Sequence, residues 1–229
     1  CRQNPTGLQT YLKNLKKEKD PLSNFRGMCY TESNSGTWHF CGIFPAMEQK
    51  VEGWVIMKKI LFVASEAVPF IKTGGLADVV GSLPKCFDKE YFDVRVMIPK
   101  YLCIKDKFLS NLTYVNHFYM DYLGQSRYVG ILEYVYEGIT FYFIDNESYF
   151  WGDKPYGDWY YDLEKFSFFS QAALSALPVI GWRPDVIHCH DWQTGLIPVY
   201  LKGRFGEGEF FRGIKSVMTI HNLKFQGVW

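Results

Sequence analysis

No run of apolar residues in this 229-residue chain approaches the roughly 18 that a membrane span requires. The best stretch, 60–71, is interrupted by Ser65, Glu66 and Pro69. Charge of one sign is also lacking: 25 Lys and Arg stand against 24 Asp and Glu, for a formal net charge of +1. That balance gives no general pull toward nucleic acid or anionic membrane, so neither is expected as a partner. The start, Cys1-Arg2-Gln3-Asn4, has no apolar segment of the secretory kind. Six cysteines (Cys1, Cys29, Cys41, Cys86, Cys103, Cys189) include no C-x-x-C pair and are irregularly spaced. They read as free thiols of a reducing cytoplasm rather than a disulfide framework. Internal repeats and low-complexity tracts are missing as well.

What is present is a composition able to build a core, 48% hydrophobic and 18% aromatic. Residues 1–56 differ from the rest, with seven basic residues against five acidic ones. Only 8–19 there has the pattern of a helix, and 23–36 keeps no period of 2 or 3.6. This segment is expected to be an extension outside the functional fold, which then starts at Met57.

From Met57 onward strands and helices alternate. Residues 60–64 form an apolar run without polar alternation, as in a strand covered on both faces. A helix is predicted over 76–86, a strand over 94–98, and a hairpin over 128–136 and 139–144 turning at Glu137-Gly138. A helix follows over 164–177, where Phe166, Phe169, Ala173, Leu174 and Leu177 share a face and Pro178 ends it. Strands over 185–188 and 216–220 flank a helix over about 194–202. The alternation predicts an α/β fold: a Rossmann-like, mostly parallel sheet with helices on both faces.

In such sheets ligands collect beyond the carboxyl ends of the strands. Three loops there carry unusual residues. The first holds Lys72, Gly74, Gly75 and Asp78. Twin glycines at a helix start let a ligand approach the backbone, and free N–H groups with the helix dipole suit an anion such as phosphate. Lys72 adds a full charge. The spacing matches neither G-x-G-x-x-G nor the P-loop, and a glycine turn with a solvated lysine explains the same residues. Asp78 either stabilises the helix N-terminus or accepts hydrogen bonds from sugar hydroxyls.

The second loop follows His188-Cys189-His190-Asp191-Trp192-Gln193. Both imidazoles point one way from a strand, which raises a zinc pair, but no third ligand stands at a suitable spacing. The better reading packs one histidine near the strand end and lets His190 reach the cleft as a hydrogen-bonding group. Trp192 is either core or a sugar-stacking platform. In the third loop His221, Asn222 and Gln226 either line a polyol site or cap a turn.

Together the three loops are far more specific. Residues 59–84, with Lys72-Thr73-Gly74-Gly75-Leu76, resemble the N-terminal signature of bacterial glycogen synthases and plant starch synthases. Residues 183–193 and 219–227 resemble that family's second and third signatures, so the resemblance covers about 58–229. It implies a retaining glucosyltransferase that moves glucose from ADP-glucose to the non-reducing end of an α-1,4-glucan, without cofactor or metal, on two Rossmann-like domains facing across a cleft. This chain would be the N-terminal, acceptor-side half. Its expected inventory is Lys72, Gly74 and Gly75 on the phosphates, Asp78 on a sugar hydroxyl, and His190 facing the reacting sugar, with Asn222 binding substrate. Two departures stand out: Lys165 where relatives usually carry Arg, and an end at Trp229, short of the C-terminal domain. Transfer by the chain alone is therefore not expected. The competing expectations are a non-catalytic glucan- or nucleotide-binding module and a related transferase using another nucleotide sugar.

Overall fold

The computed structural model describes residues 57–157, 159–224 and 227, together with short strands at Cys29–Glu32, Trp38–Cys41, Lys50–Val51 and Trp54–Val55. The helix expected over 8–19, and Gln226 of the third loop, lie outside the described residues. The chain divides into two units, Cys1–Lys50 and Val51–Trp229. In the first, Cys29–Glu32 pairs antiparallel with Trp38–Cys41.

The second unit is built on a seven-stranded sheet. In chain order its elements are β1 (Lys58–Val63), α1 (Gly75–Ser82), β2 (Phe92–Pro99), α2 (Asp106–Leu109), β3 (Thr113–Tyr122), β4 (Gln125–Tyr136), β5 (Ile139–Asp145), α3 (Glu147–Phe150), α4 (Trp159–Ile180), β6 (Val186–His190), α5 (Leu196–Lys202) and β7 (Lys215–Thr219). The strands lie in the order β7-β6-β1-β2-β5-β4-β3. The first five are parallel, while β4 and β3 add an antiparallel edge.

Central β1 has a parallel neighbour on each side, and Leu61, Phe62 and Val63 are buried. Apolar side chains on both faces of one strand are what a doubly covered sheet demands. From this centre β1–α1–β2 steps one way and β5–α4–β6 the other. Right-handed crossovers then put α1 on one face and α4 with α5 on the opposite one. The fold is therefore the mostly parallel, Rossmann-like sheet read from the sequence.

Three local expectations change. The first helix is α-helical only to Ser82, and a 3-10 turn covers Leu83–Cys86, because Pro84 has no N–H to continue the ladder. Gly81 is required within that helix, since a Cβ would lie 2.5 Å from the Val68 carbonyl oxygen. Pro178 does not end α4. The helix continues to Ile180 and stops at Gly181, whose φ of 71° gives the left-handed turn usual after a helix. Strand β3 is absent from the sequence reading. Its outer face is solvated and a bulge between Tyr114 and Asn116 breaks the period of 2. Its turn into β4 has positive φ at Leu123 and Gly124, the same tight geometry as Glu137-Gly138.

Candidate functional site

The order of the strands sets the site. Connections leave β1 and β6 in opposite directions, so the loops after these neighbouring strands open a crevice at their carboxyl ends. The first loop runs from Ser65 to Gly74, the second from Asp191 to Gln193, and the loop after β7 lies beside the second. His221 N donates to Asp191 Oδ1 at 2.7 Å, which ties the last two together.

The first loop is not the vacant anion nest that its glycines suggest. Glu66, 2% exposed, accepts the Thr73 N–H at 2.5 Å through Oε2. Burial holds its carboxyl above the ordinary value, against the hydrogen bonds from Thr73 and Gly74. The helix mouth thus carries an internal carboxylate. Nor is Lys72 solvated alone: its Nζ lies 2.7 Å from both Asp78 oxygens, on side chains 52% and 53% exposed. Gly74 and Gly75 are exposed, and neither has a left-handed φ. A Cβ on Gly75 would meet nothing within 4 Å, and one on Gly74 only Glu66 Oε1 at 3.8 Å. The fold of the described residues does not itself need these two glycines.

The second loop departs further from expectation. His188 and His190 both lie within β6, on one face, with ring centroids 4.2 Å apart. His190 does not reach a cleft. It is fully buried between the Phe62 ring at 5.2 Å and the His221 ring at 5.2 Å. Its Nδ1 is 2.9 Å from His221 Nε2, while its own Nε2 is buried without a hydrogen-bond partner. A buried lone pair is less costly than a buried orphan N–H. His190 Nδ1–H therefore donates to His221, which keeps its own Nδ1–H as a donor. Half-buried His221, not His190, is the imidazole at the surface of the site. The strand runs two residues further than predicted, and that carries His190 under cover.

Burial drives these rings toward the neutral form. His188 falls to about 4, His190 lies well below the usual histidine value, and His221 is lowered too. The unfolded chain therefore binds protons that the native state refuses. Stability is complete above the unfolded histidine value of about 6.5 and is lost as pH falls from there toward 4. Thermal unfolding at pH 7, 6, 5 and 4 is expected to show a progressive drop over that range, and a His188→Phe variant a shallower one.

Asn222 is exposed, and its Oδ1 accepts the Lys224 N–H at 2.9 Å, so it makes the turn foreseen as its other role. Trp192 is half-buried, with its ring edge-on to Phe166 at 5.3 Å.

Residues 59–229 match the family described as the starch synthase catalytic domain. The chain belongs to that family. It is 68% identical over 173 residues to a glycogen synthase of Lachnospira eligens, covering 76% of this chain and 36% of that protein. It is 63% identical over 173 residues to the glycogen synthase of Lachnoclostridium phytofermentans, with the same coverage. The catalytic domain of starch synthase IV from Arabidopsis thaliana, solved bound to ADP and acarbose, superposes with a TM-score of 0.64 at 30% identity. That match covers 75% of this chain and 35% of the plant chain. The chain thus spans about a third of the length of the relatives it matches.

Several residues at the crevice of this starch synthase domain are absent from the set that the sequence singles out. Asp191 adopts φ 56° and ψ 179°, a region otherwise almost confined to glycine, at a cost of order 1–3 kcal/mol. It is held there by its N–H on the Thr219 carbonyl at 2.9 Å and by the His221 N–H on its Oδ1. Tyr156 places its hydroxyl 2.7 Å from Ser65 Oγ at the end of β1, while Tyr101 donates to the Ser65 carbonyl at 2.9 Å. Glu66, Tyr101 and Tyr156 are far apart in sequence, and only the crossovers bring them together. A Ser-Glu pair directly after a buried strand was the available clue.

Proposed function

We propose that residues 57–229 are the N-terminal, acceptor-side domain of a glycogen or starch synthase that transfers glucose from ADP-glucose to the non-reducing end of an α-1,4-glucan with retention. The carrying observation is the open space beside Gly74 and Gly75, next to Lys72 at the switch point of the sheet. Two glycines that the chain's own packing does not need are accounted for by a ligand that approaches their backbone.

On this reading Lys72 exchanges Asp78 for the diphosphate of the donor. A half-exposed pair of this kind is worth about 0–1 kcal/mol, so the exchange costs little. Asp78, once released, accepts a sugar hydroxyl. His221 stays neutral and donates Nδ1–H toward a sugar oxygen, while His190 holds it from beneath. Retention needs no separate base on the far face of the ring, and fixed positive charge rather than a metal meets the leaving diphosphate. The remainder of a longer protein supplies the opposite wall of the cleft. Free thiols at Cys86, Cys103 and Cys189 support a reducing, cytoplasmic setting. Among the described residues no helix is long and apolar enough to cross a membrane.

The test is incorporation of radiolabelled glucose from ADP-glucose into glycogen by the full-length protein, with UDP-glucose in parallel. ADP-glucose is expected to be the better donor and the new linkage to be α. Absence of incorporation from ADP-glucose overturns the proposal, and preference for UDP-glucose transfers it to a different donor.

A further inference from the structure

The chain holds a buried ion pair that touches none of the residues assigned so far. Asp162 and Lys165 stand one turn apart at the start of α4, with side chains only 9% and 5% exposed. Lys165 Nζ lies 2.5 Å from Asp162 Oδ1 and donates to the Pro155 carbonyl at 2.5 Å. Asp162 Oδ2 accepts the Gly157 N–H at 2.9 Å. The pair therefore grips the backbone on both sides of one residue, Tyr156.

Burying two charges is costly, and a well-packed apolar pair in the same volume is often at least as stabilising. Stability alone is a poor reason for this arrangement. Its geometry offers a better one. The described residues between α3 and α4, 151–157, form no helix or strand that would fix their course. Clamped at Pro155 and Gly157, it presents Tyr156 with its ring 5.8 Å from Phe166 and its hydroxyl on Ser65 Oγ. That hydroxyl stands in the electrostatic neighbourhood of Glu66 and Asp191, at the crevice.

We infer that Asp162 and Lys165 are positioning residues: a buried electrostatic latch that holds Tyr156 in the sugar-transfer site. The inference rests on the proposed function for the chemistry that Tyr156 serves, and on geometry alone for the latch. Lys165→Arg keeps a cation that can reach both Asp162 and the Pro155 carbonyl. Lys165→Met and Asp162→Asn leave a buried charge without its partner and release the strap. A displacement of about 1 Å at a transfer site can cost up to about a hundredfold in rate.

The experiment is a double-mutant cycle in the full-length protein. Tyr156→Phe and Asp162→Asn are each expected to lower kcat for glucosyl transfer by about tenfold or more. The double variant should be no worse than the poorer single one, because Asp162 acts through Tyr156. Lys165→Arg should stay within about twofold of the parent and Lys165→Met should behave like Asp162→Asn. Losses that multiply in the double variant, or wild-type kinetics in Lys165→Met, overturn the inference. Amide hydrogen exchange is read on the same proteins and needs no activity. Faster exchange in Asp162→Asn is expected at the amides of Lys154, Tyr156 and Gly157, with β1 and the body of α4 unchanged. Acceleration throughout the domain would make the pair a general brace and would also overturn it. A parent that transfers no glucose defeats the proposed function, and the exchange pattern then still decides whether the latch exists.

Discussion

Phe62→Ala is expected to destabilise the domain by about 3–5 kcal/mol, the range for truncating a fully buried phenylalanine. Phe62 sits near the carboxyl end of β1, the middle one of the five parallel strands, and is 0% exposed. Its ring meets Phe87 at 6.0 Å, His188 at 4.7 Å and His190 at 5.2 Å. The loss comprises the transfer term and a cavity that parallel strands on both sides cannot close. Against a typical total of about 5–15 kcal/mol, it leaves little margin. The measurement is a urea titration, in which the midpoint should fall while the slope stays near that of the parent. Because the cavity lies beneath the histidine stack, the variant should also admit water to His190 and flatten the acid-dependent loss of stability. Tyr160→Ala, at a side chain 81% exposed, should stay within about 0.5 kcal/mol of the parent. A Phe62→Ala protein as stable as Tyr160→Ala would contradict the central place given to β1.

The second large effect is functional. Lys72→Gln in the full-length protein is expected to weaken the donor step, seen as kcat/KM for ADP-glucose, by about ten- to a hundredfold. A hydrogen bond to a charged partner contributes about 1.5–3 kcal/mol, and each 1.4 kcal/mol is a factor of ten. Folding stability should hardly change, since the Lys72–Asp78 pair is half exposed and screened. The sign of a companion variant follows from the same contact. Lys72→Gln leaves Asp78 as an uncompensated negative charge where a diphosphate must enter, so adding Asp78→Asn should recover part of the lost donor affinity. Unchanged kinetics in Lys72→Gln would remove the phosphate role of the loop and with it the main physical support for the proposed function. Stability and donor affinity are thus separable: Phe62 governs the first and Lys72 the second.

Periodicity and composition were sufficient for the sheet because its central strands are extreme cases. An unbroken apolar run such as 60–64 has no soluble alternative to a covered strand. The edge strand β3 was hidden by the opposite property, since one face is wet and a bulge resets its register. Helix ends were misplaced at the prolines, where Pro84 tightens the helix into a 3-10 turn and Pro178 is tolerated in the last turn of α4.

At the site, the residue types of Lys72, Gly74, Gly75 and Asp78 were legible, and so was their place after a buried strand. Family membership follows from the same loops. Which charges face one another was not legible, because a local pattern holds no record of what other loops bring in. That Glu66 fills the mouth of α1, that Asp78 holds Lys72, that His221 covers His190 and that Tyr156 reaches Ser65 are consequences of strand order. The amino-acid sequence by itself determined the architecture and the loops at which ligands meet it, since covered strands and helix starts are local matters of burial and backbone freedom. Only the tertiary structure decided which side chains are partners and which imidazole stands at the surface of the site, since electrostatic contacts depend on distances between segments that are remote along the chain.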